Sequence, residues 1–419
     1  MSSTVGRLKL AVTGSLDGWL VGKPSYSHFL KRYKRSTPFS VEQIEVPFEG
    51  GGSIDFGKHV IALIDPSRGD LIRNMTLRVT LTDPKPDFSD EWNNNYYPPS
   101  VISHLIEYAD LVIGSQTIER ITGEYIYMNS QLTLTSDDIE QTEYFLSGHG
   151  NFLSYTGQYT YFLDIPFYFH RHSALSIPTC ALTKQIVEVR LKLRPLSEMI
   201  FYGYVPGITA QIKNMSLDCE FAYVGEDERN YYITTPLDYC ITQLQKAEFE
   251  IPYGETEKSV LLKFQHPVKE MYFLSRSKAS TVANFPSTFN PIERVELRFN
   301  NEVVFDHDYK YLTYEVPLRR HVNSPIIQTV STIEVVPDGD LDIVFNHTIR
   351  GCFGVYSWSI RPDAYYPSGQ VNFSRVGHQH LKIEIQQMPE YAGYDNIVRV
   401  FAKNYNIMTI SDGICGLKF

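Results

Sequence analysis

Short runs of β-branched and aromatic residues, separated by clusters of turn residues, are the feature that most constrains this 419-residue sequence. They begin at Val41 and continue almost to the carboxyl end. Such residues pack well on a pleated sheet, whereas Gly, Pro, Asn and Asp favour the turns between strands. Helix-type periodicity is scarce, and aromatic residues make up 13% of the chain. The pattern therefore predicts an all-β fold.

Two successive sets of about eight strands are predicted, because the pattern breaks after residue 224 and then restarts. The first set comprises residues 41–48, 58–63, 70–82, 103–113, 158–169, 185–194 and 214–224. The second set comprises residues 258–264, 269–275, 294–299, 331–335, 341–346, 356–360, 379–386 and 397–405. Sets of this size, with turns and long loops, are typical of jelly rolls. We expect two consecutive eight-stranded jelly rolls with long inserted loops and a few short helices.

The domain boundaries follow from this pattern and from chain length, which is too great for one ordinary core. The prediction is an N-terminal basic arm (1–40), a first jelly roll (41–228), a linker with a short helix (229–246) and a second jelly roll (247–419). The linker helix is placed around residues 237–246. Another helix is predicted within residues 122–148, with acids after a start signal at Ser136. The apolar residues at the carboxyl end are expected to dock into a core or a neighbouring subunit.

Charge is distributed unevenly along the chain. The formal net charge of −10 excludes a broad basic surface, so direct nucleic-acid binding is not expected. Residues 1–40, in contrast, carry seven Lys or Arg residues and one acid, Asp17. This arm is predicted to contact an anionic surface, either a membrane or an acidic protein, and a solvated segment is the alternative. The residues assigned to the contact are Lys31, Arg32, Lys34 and Arg35.

The cysteines and the lack of targeting signals indicate a reducing compartment. The five cysteines are scattered and contain no CxxC pair, which disfavours a zinc ribbon or a disulfide framework. No signal-peptide core or membrane-length apolar run is present. Four N-x-[ST] triplets are candidate glycosylation sites, although so short a motif is usually unmodified without a secretory signal. Their asparagines are Asn74, Asn214, Asn346 and Asn372.

One spacing could bind a metal ion. His378, His380 and Glu384 have the HxH-x3-E spacing of cupin metalloenzymes, which are also jelly rolls, and alternate residues of a strand share one face. The glycines of the cupin motif are missing, since Asn372 and Tyr391 take their places. The same residues fit the solvent face of an amphipathic strand, which is the simpler interpretation.

No other chemical motif supports an enzyme or a cofactor. His170 and His172 form a second HxH pair, but Ser176 takes the position of the acid, so this pair is expected to be structural. No nucleophile elbow, phosphate-binding glycine loop or zinc-protease motif occurs. Neither catalysis nor a cofactor is therefore predicted.

The carboxyl-terminal sequence NYNIMTISDGICGLKF, from Asn404, resembles the closing strand of the major capsid proteins of nucleocytoplasmic large DNA viruses. That strand typically reads NYN, an aliphatic pair and then SGMGGLxF. Asp412, Ile414 and Cys415 depart from the pattern. Further segments resemble the same family in the same order: RGDLIRNMTLRVTL, DIPFYFHRHS, TQLQ, HPVKEMYF, ERVELRFNNEVVF and PSGQVNFSR.

The resemblance implies a structural capsid protein. Three double jelly-roll subunits would form a pseudo-hexagonal capsomer that tiles an icosahedral shell over an internal membrane. The implied partners are further copies of the chain, neighbouring capsomers, minor capsid and penton proteins, and the membrane through the arm. The protein would be synthesised and assembled in the host cytoplasm and reside in the virion. A minor capsid or scaffold protein of the same fold, or a cupin-like metalloenzyme, is the alternative.

Long loops are the expected contact surfaces of such a subunit. The loops after Thr82 and after Gly123, and residues 286–325, are assigned to the outer tower and the trimer contacts. Tyr-rich loops suit this role because they supply contact area at low entropic cost.

Overall fold

The structure, a computed structural model, describes most of the chain. The described residues are 4–30, 33–49, 54–82, 85–86, 97, 100–135, 138, 158–199, 208–278, 289–323, 328–330, 334–335, 341–342, 348–350, 353–387 and 392–419. The chain separates into two compact units, Met1–Pro38 and Phe39–Phe419. The smaller unit contains helices α1 (Thr4–Ala11) and α2 (Asp17–Val21), and most of its described side chains are exposed.

The first half of the larger unit is a jelly roll of eight strands. They are β1 (Phe39–Glu49), β2 (His59–Ile64), β3 (Leu71–Thr82), β4 (Ile106–Ile113), β5 (Gln116–Thr122), β6 (Gln158–Asp164), β7 (Val187–Leu193) and β8 (Ile212–Val224). One antiparallel layer has the order β1-β8-β3-β6 and the other has the order β2-β7-β4-β5. A short pairing of β1 with β2, at Phe48 and Ala62, joins the two layers.

The second half repeats this strand order. Its strands are β9 (Leu237–Ile251), β10 (Glu257–Leu262), β11 (Pro267–Ser277), β12 (Ile292–Phe299), β13 (Glu302–Asp308), β14 (Gly354–Ser357), β15 (Gln379–Ile385), β16 (Asn396–Ser411) and β17 (Ile414–Leu417). One layer has the order β9-β16-β11-β14, with β17 paired to β16, and the other has the order β10-β15-β12-β13. The predicted all-β double jelly roll is therefore confirmed.

Short helices and strands fill the connections. The helices are α3 (Val101–Leu105), α4 (Gly123–Thr133), α5 (Leu196–Met199), α6 (Glu226–Thr234) and α7 (Val316–Arg320), with a π-helical turn at Tyr311–Glu315. The 3-10 turns are Pro66–Arg68, Tyr168–Arg171, Ser173–Leu175, Thr179–Ala181 and Phe373–Arg375. The remaining short strands are Lys85–Pro86, Ile208–Thr209, Phe289–Asn290, Gln328–Val330, Glu334–Val335, Leu341–Asp342, Thr348–Arg350 and Val371–Asn372.

One helix prediction was wrong in position. The predicted helix at 237–246 is part of β9, which pairs with β16 from Leu237 to Ile251, and the nearby helix is α6. The helix predicted within 122–148 is present as α4, which begins at Gly123 because the Thr122 hydroxyl accepts the Tyr125 N–H and caps the helix. The predicted start at Ser136 falls outside the described residues. Residues 136, 137 and 139–157 lie outside the described part of the chain. The division of the chain at a 229–246 linker stays a prediction.

The layer that contains β9, β11 and β16 is buried on both faces. Val398 and Val400 of β16 point into the core of the second jelly roll. Phe401 of the same strand points the other way, into the core cluster of the first jelly roll. A strand covered on both sides needs apolar residues at successive positions. This explains the nearly continuous apolar character of the closing strand.

The closing strand ends in a tight hairpin. Asp412 and Gly413 have φ angles of 53° and 80°, as a type I′ turn requires, and Asp-Gly is a preferred sequence for that turn. The Gly413 carbonyl accepts the Lys184 N–H at 3.2 Å, so the hairpin contacts the first jelly roll. The Phe419 side chain is 75% exposed and does not dock into a core of this chain. Its carbonyl oxygen instead accepts the Asn406 Nδ2 donor at 2.8 Å.

We expect Phe401→Ala to lower the free energy of unfolding by about 3–5 kcal/mol, because it leaves a cavity between the two jelly rolls. Urea denaturation followed by fluorescence measures this change. Phe419→Ala is the matched control, since an exposed ring should contribute less than about 0.5 kcal/mol. Equal urea midpoints for the two variants would contradict the two-faced burial of β16.

Candidate functional site: the junction between the two jelly rolls

Equivalent connections of the two jelly rolls meet at their junction. α4 connects β5 to β6, and α7 lies in the corresponding connection from β13 to β14. The Leu132 carbonyl at the end of α4 accepts the N–H groups of Val322 and Asn323, at 3.1 and 3.2 Å. The His172 and Tyr365 rings, from another equivalent pair of connections, stack with centroids 4.3 Å apart. The junction is thus formed by loops that project from corresponding strands.

Side-chain amides hold β9 against β16 and against the first jelly roll. Gln243 Nε2 donates to the Ile118 carbonyl of β5 at 2.6 Å, and Asn406 Nδ2 donates to Gln243 Oε1 at 2.8 Å. Gln245 Nε2 donates to Asn404 Oδ1 at 3.0 Å. These residues belong to the TQLQ and NYN segments that resemble capsid proteins. Their chemical role here is to satisfy buried polar groups across the junction.

A buried carboxylate bridges the two jelly rolls. Glu124 of α4 is 2% exposed, and its Oε1 lies 2.8 Å from Arg194 Nη2. The same oxygen accepts a hydrogen bond from Arg399 of β16, and Arg399 Nε also binds Glu248 at 2.8 Å. Burial alone would raise the pKa of Glu124, but Arg194 and Arg399 outweigh it and hold the pKa below its usual range. Glu124 is therefore charged, and its charge is satisfied only when both jelly rolls are in place.

A second buried carboxylate, Glu270 of β11, is fully enclosed. Its Oε1 accepts the Tyr272 hydroxyl at 2.9 Å and lies 3.5 Å from Lys403 Nζ and 3.9 Å from Lys269 Nζ. Burial opposes the charged form, but Lys403 and then Lys269 hold the pKa of Glu270 below its usual range. Tyr272 also packs edge-on against Tyr125 of α4, at 5.6 Å between centroids. This cluster connects the charged centre of the second jelly roll to the first.

Glu119 is the buried acid of the junction that lacks a close basic partner among the described ion pairs. It is 5% exposed, and its Oε2 accepts the Tyr168 N–H at 2.7 Å. Burial raises the pKa of Glu119 to about 7, and this hydrogen bond opposes the rise only in part.

The histidines considered for metal binding occupy structural positions. His378 and His380 lie on the exposed side of the strand, with ring centroids 6.3 Å apart, and Glu384 instead pairs with Lys382 at 3.1 Å. Leu381, Ile383 and Ile385 are fully buried on the other face, as an amphipathic strand requires. Within the described ranges, no three His, Cys, Asp or Glu side chains form a metal-binding group.

The second histidine pair also forms local contacts. His170 Nδ1 lies 2.8 Å from Asn74 Oδ1, and His172 Nδ1 accepts the Ala174 N–H at 3.0 Å. Both contacts fix the connection that crosses the junction near Tyr365.

The remaining predicted site residues lie apart from this junction network. Asn214 and Asn372 are exposed, Asn74 is half-buried, and Asn346 lies outside the described residues. Lys34 and Arg35 are exposed, whereas Lys31 and Arg32 lie outside the described residues. No helix in the described part of the chain has the length and apolar character needed to cross a membrane.

The sequence did not reveal the charged residues of the junction as functional. The one available signal was the presence of ionisable residues inside strongly apolar strands, at Lys269, Glu270 and Lys403. Such residues are rarely buried unless they are paired. Their partners come from distant strands and could not be assigned from spacing alone.

Comparison with known proteins finds similarity to viral capsid proteins. Residues 27–221 match the family model for the N-terminus of major capsid proteins. Over 426 residues the chain is 27% identical to the major capsid protein of Pyramimonas orientalis virus, with 99% of each chain covered. The chain is thus similar, over nearly its whole length, to the major capsid proteins of nucleocytoplasmic large DNA viruses. It is likewise 23% identical over 448 residues to the major capsid protein of Paramecium bursaria Chlorella virus 1, again with 99% of each covered.

Solved structures support the same fold. The crystal structure of PBCV-1 VP54, fitted into a reconstruction of the virophage Sputnik, superposes with a TM-score of 0.75 at 19% identity. It covers 94% of this chain and 100% of that one. The Faustovirus major capsid protein superposes with a TM-score of 0.66 at 11% identity, covering 97% and 96%. These structures share the double jelly-roll fold of this chain, and the relatives found by sequence are structural capsid proteins and not enzymes.

We expect Glu124→Gln to cost about 3–5 kcal/mol of stability, because it leaves Arg194 and Arg399 facing each other without a buried counter-charge. The urea midpoint at pH 7 measures the loss. Glu198→Gln is the matched control, since Glu198 also pairs with Arg194, at 3.3 Å, but is 51% exposed. A Glu124→Gln variant as stable as this control would show that the bridge contributes little.

Proposed function

We propose that this chain is a major capsid protein and forms a homotrimeric, pseudo-hexagonal capsomer that tiles an icosahedral shell over an internal membrane. The proposal rests on one observation: two jelly rolls with the same strand order meet through two different surfaces. The outer face of one layer of the second jelly roll meets the β5 edge and connecting loops of the first. Such a heterologous contact, repeated from one jelly roll to the next, gives a ring when its rotation closes, and we infer a closed ring here. Three chains supply the six similar units that such a ring needs.

Among the described residues, nothing in this chain covers the corresponding outer face of the first jelly roll. This face is therefore available to the next copy. In the second jelly roll this face buries Tyr272 and Phe401. In the first it carries Arg78, which pairs with Asp218 at 2.5 Å, and an exposed Thr160 on β6. We infer that the first jelly roll uses this polar face to contact the second jelly roll of a neighbouring copy. A polar face suits a subunit that must be soluble before assembly.

The same proposal includes the contacts of the arm, of neighbouring capsomers and of penton proteins. The arm exposes Trp19 and Phe29, which are 89% and 98% accessible, together with Lys34 and Arg35. Aromatic and basic side chains in one segment favour an anionic inner surface, either the membrane or minor capsid proteins. Neighbouring capsomers and penton proteins would contact the capsomer at its sides, and assembly would take place in the host cytoplasm. A minor capsid protein of the same fold stays the alternative, to be distinguished by copy number in the virion.

The glycosylation sites stay candidates. Asn214 and Asn372 have the exposure that a glycan needs, whereas the Asn74 side chain contacts His170. We therefore assign any modification to Asn214 and Asn372 before Asn74. Mass spectrometry of peptides from virions tests this order.

We expect the purified full chain at micromolar concentration to have a solution mass three times that of the chain. Light scattering measures the mass, and electron micrographs should show pseudo-hexagonal particles with three-fold symmetry. Thr160→Arg should shift the protein to monomers with an unchanged melting temperature, because it places a bulky charge on the proposed contact face. Ser259→Arg, at an exposed position of β10, is the control and should stay trimeric.

A clean wild-type monomer would contradict the capsomer itself. A wild-type trimer that Thr160→Arg leaves intact would contradict only the assignment of the contact face.

A further inference from the structure

His321 faces a carboxylate at each of its two ring nitrogens. It follows α7 directly, and its side chain is 1% exposed. Nε2 lies 3.3 Å from Glu270 Oε2, and Nδ1 lies 3.1 Å from Asp363 Oδ2. A charged carboxylate only accepts hydrogen bonds, and a neutral imidazole has a single N–H. The Nδ1 contact has hydrogen-bond geometry, whereas Nε2 and Glu270 Oε2 lie at ion-pair distance without it. A cationic ring is attracted to both carboxylates, and a neutral ring is not, so the geometry favours a histidine cation at this position.

Among the described charged groups, His321 is the one that lies between Glu270 and Asp363. On β11, Glu270 uses Oε1 for the Tyr272 hydroxyl and for the Lys403 and Lys269 ammonium groups, so Oε2 is the oxygen that faces the imidazole. Asp363 approaches from the segment between β14 and β15, with a side chain that is 34% exposed. On α7 itself, Arg319 and Arg320 are exposed, and Arg319 pairs with Glu315 at 2.8 Å. None of these bases takes the place of His321 between the two acids.

The residues that follow His321 hold the junction closed. Val322 and Asn323 both donate their N–H groups to the Leu132 carbonyl of α4, at 3.1 and 3.2 Å. Leu132 is 1% exposed in the core of the first jelly roll. The backbone at His321 therefore connects a buried charge in the second jelly roll to a helix of the first. Moving the imidazole displaces the two donors next to it.

We propose that His321 is a base-sensitive latch, whose loss of a proton releases Val322 and Asn323 from α4 and loosens the contact between the two jelly rolls. With one N–H, the neutral ring would present a lone pair to one of the carboxylates and expel it. Below the pH at which His321 loses its proton, the latch is closed and the double jelly roll behaves as one rigid body. The proposal concerns the junction within one chain and does not depend on trimer formation.

The direction of the pH dependence follows from the contacts. Burial disfavours the cation, but Asp363 and Glu270 outweigh burial and raise the pKa of His321 to about 9, from an ordinary value of 6.5. A group whose pKa is raised on folding stabilises the fold fully below its unfolded value and loses this effect as the pH rises through its folded value. The latch should therefore be closed below about pH 6.5 and open progressively towards pH 9 and above.

Hydrogen–deuterium exchange of the full chain tests the latch through the peptides that cover residues 128–134 and 316–323. After correction for intrinsic exchange rates, wild-type protection should be lost near pH 9. Asp363→Asn removes one negative partner and should move this loss about one pH unit lower, because a single nearby charge shifts a pKa by about that much. Asp363 is partly exposed, so this variant is expected to fold.

Two further variants complete the experiment. His321→Gln should lack protection in both peptides even at pH 6.5. His380→Gln, at an exposed position of β15, is the matched control and should titrate like the wild type. Wild-type protection that is equal at pH 6.5 and 9.5, or an Asp363→Asn transition at the wild-type pH, would overturn the proposal.

Discussion

The layer of β9, β16 and β11 is covered by apolar packing on both faces, and the rest of the structure depends on this double burial. One face completes the core of the second jelly roll, and the other closes the core of the first. Burial of apolar area stabilises by about 25 cal/mol per Å², so a layer that buries both faces contributes twice to the same fold. The two jelly rolls therefore share their stability.

Double burial also creates the electrostatic problem that the junction solves. Glu124, Glu270, Lys269 and Lys403 lie where water cannot reach them, and an unpaired charge there would cost several kcal/mol. Lys269 lies beside Glu270 on the same strand, Glu270 also faces Lys403 of β16, and Glu124 pairs with Arg194 and with Arg399 of the other jelly roll. Apolar residues of similar volume could stabilise the layer as well, but they would not select one relative orientation. The buried charges thus select one relative orientation of the two jelly rolls. A fixed orientation suits a subunit that is proposed to repeat in a shell.

The sequence predicted the strands best where a local rule and the tertiary environment agree. Alternation from Leu381 to Ile385 placed β15 correctly, including its exposed histidines. β9 was missed because TQLQKAEFE is rich in helix-forming residues, and only its long pairing with β16 makes it a strand. Resemblance supplied the family, since colinear segments carry information that periodicity lacks. Neither periodicity nor resemblance predicted the contacts of His321, because Glu270 and Asp363 lie 51 and 42 positions away in sequence.

The position of β16 in the sheet has a consequence for biosynthesis. It is inserted between β9 and β11, which are both translated far earlier, and its hairpin then contacts residues 183–185 of the first jelly roll. Until the ribosome releases this segment, β9 and β11 lack the strand that joins them. The strands of the first jelly roll can pair during translation, but its core is closed only when the second jelly roll and the junction form. A nascent chain is thereby prevented from presenting a finished assembly surface before β16 has been translated.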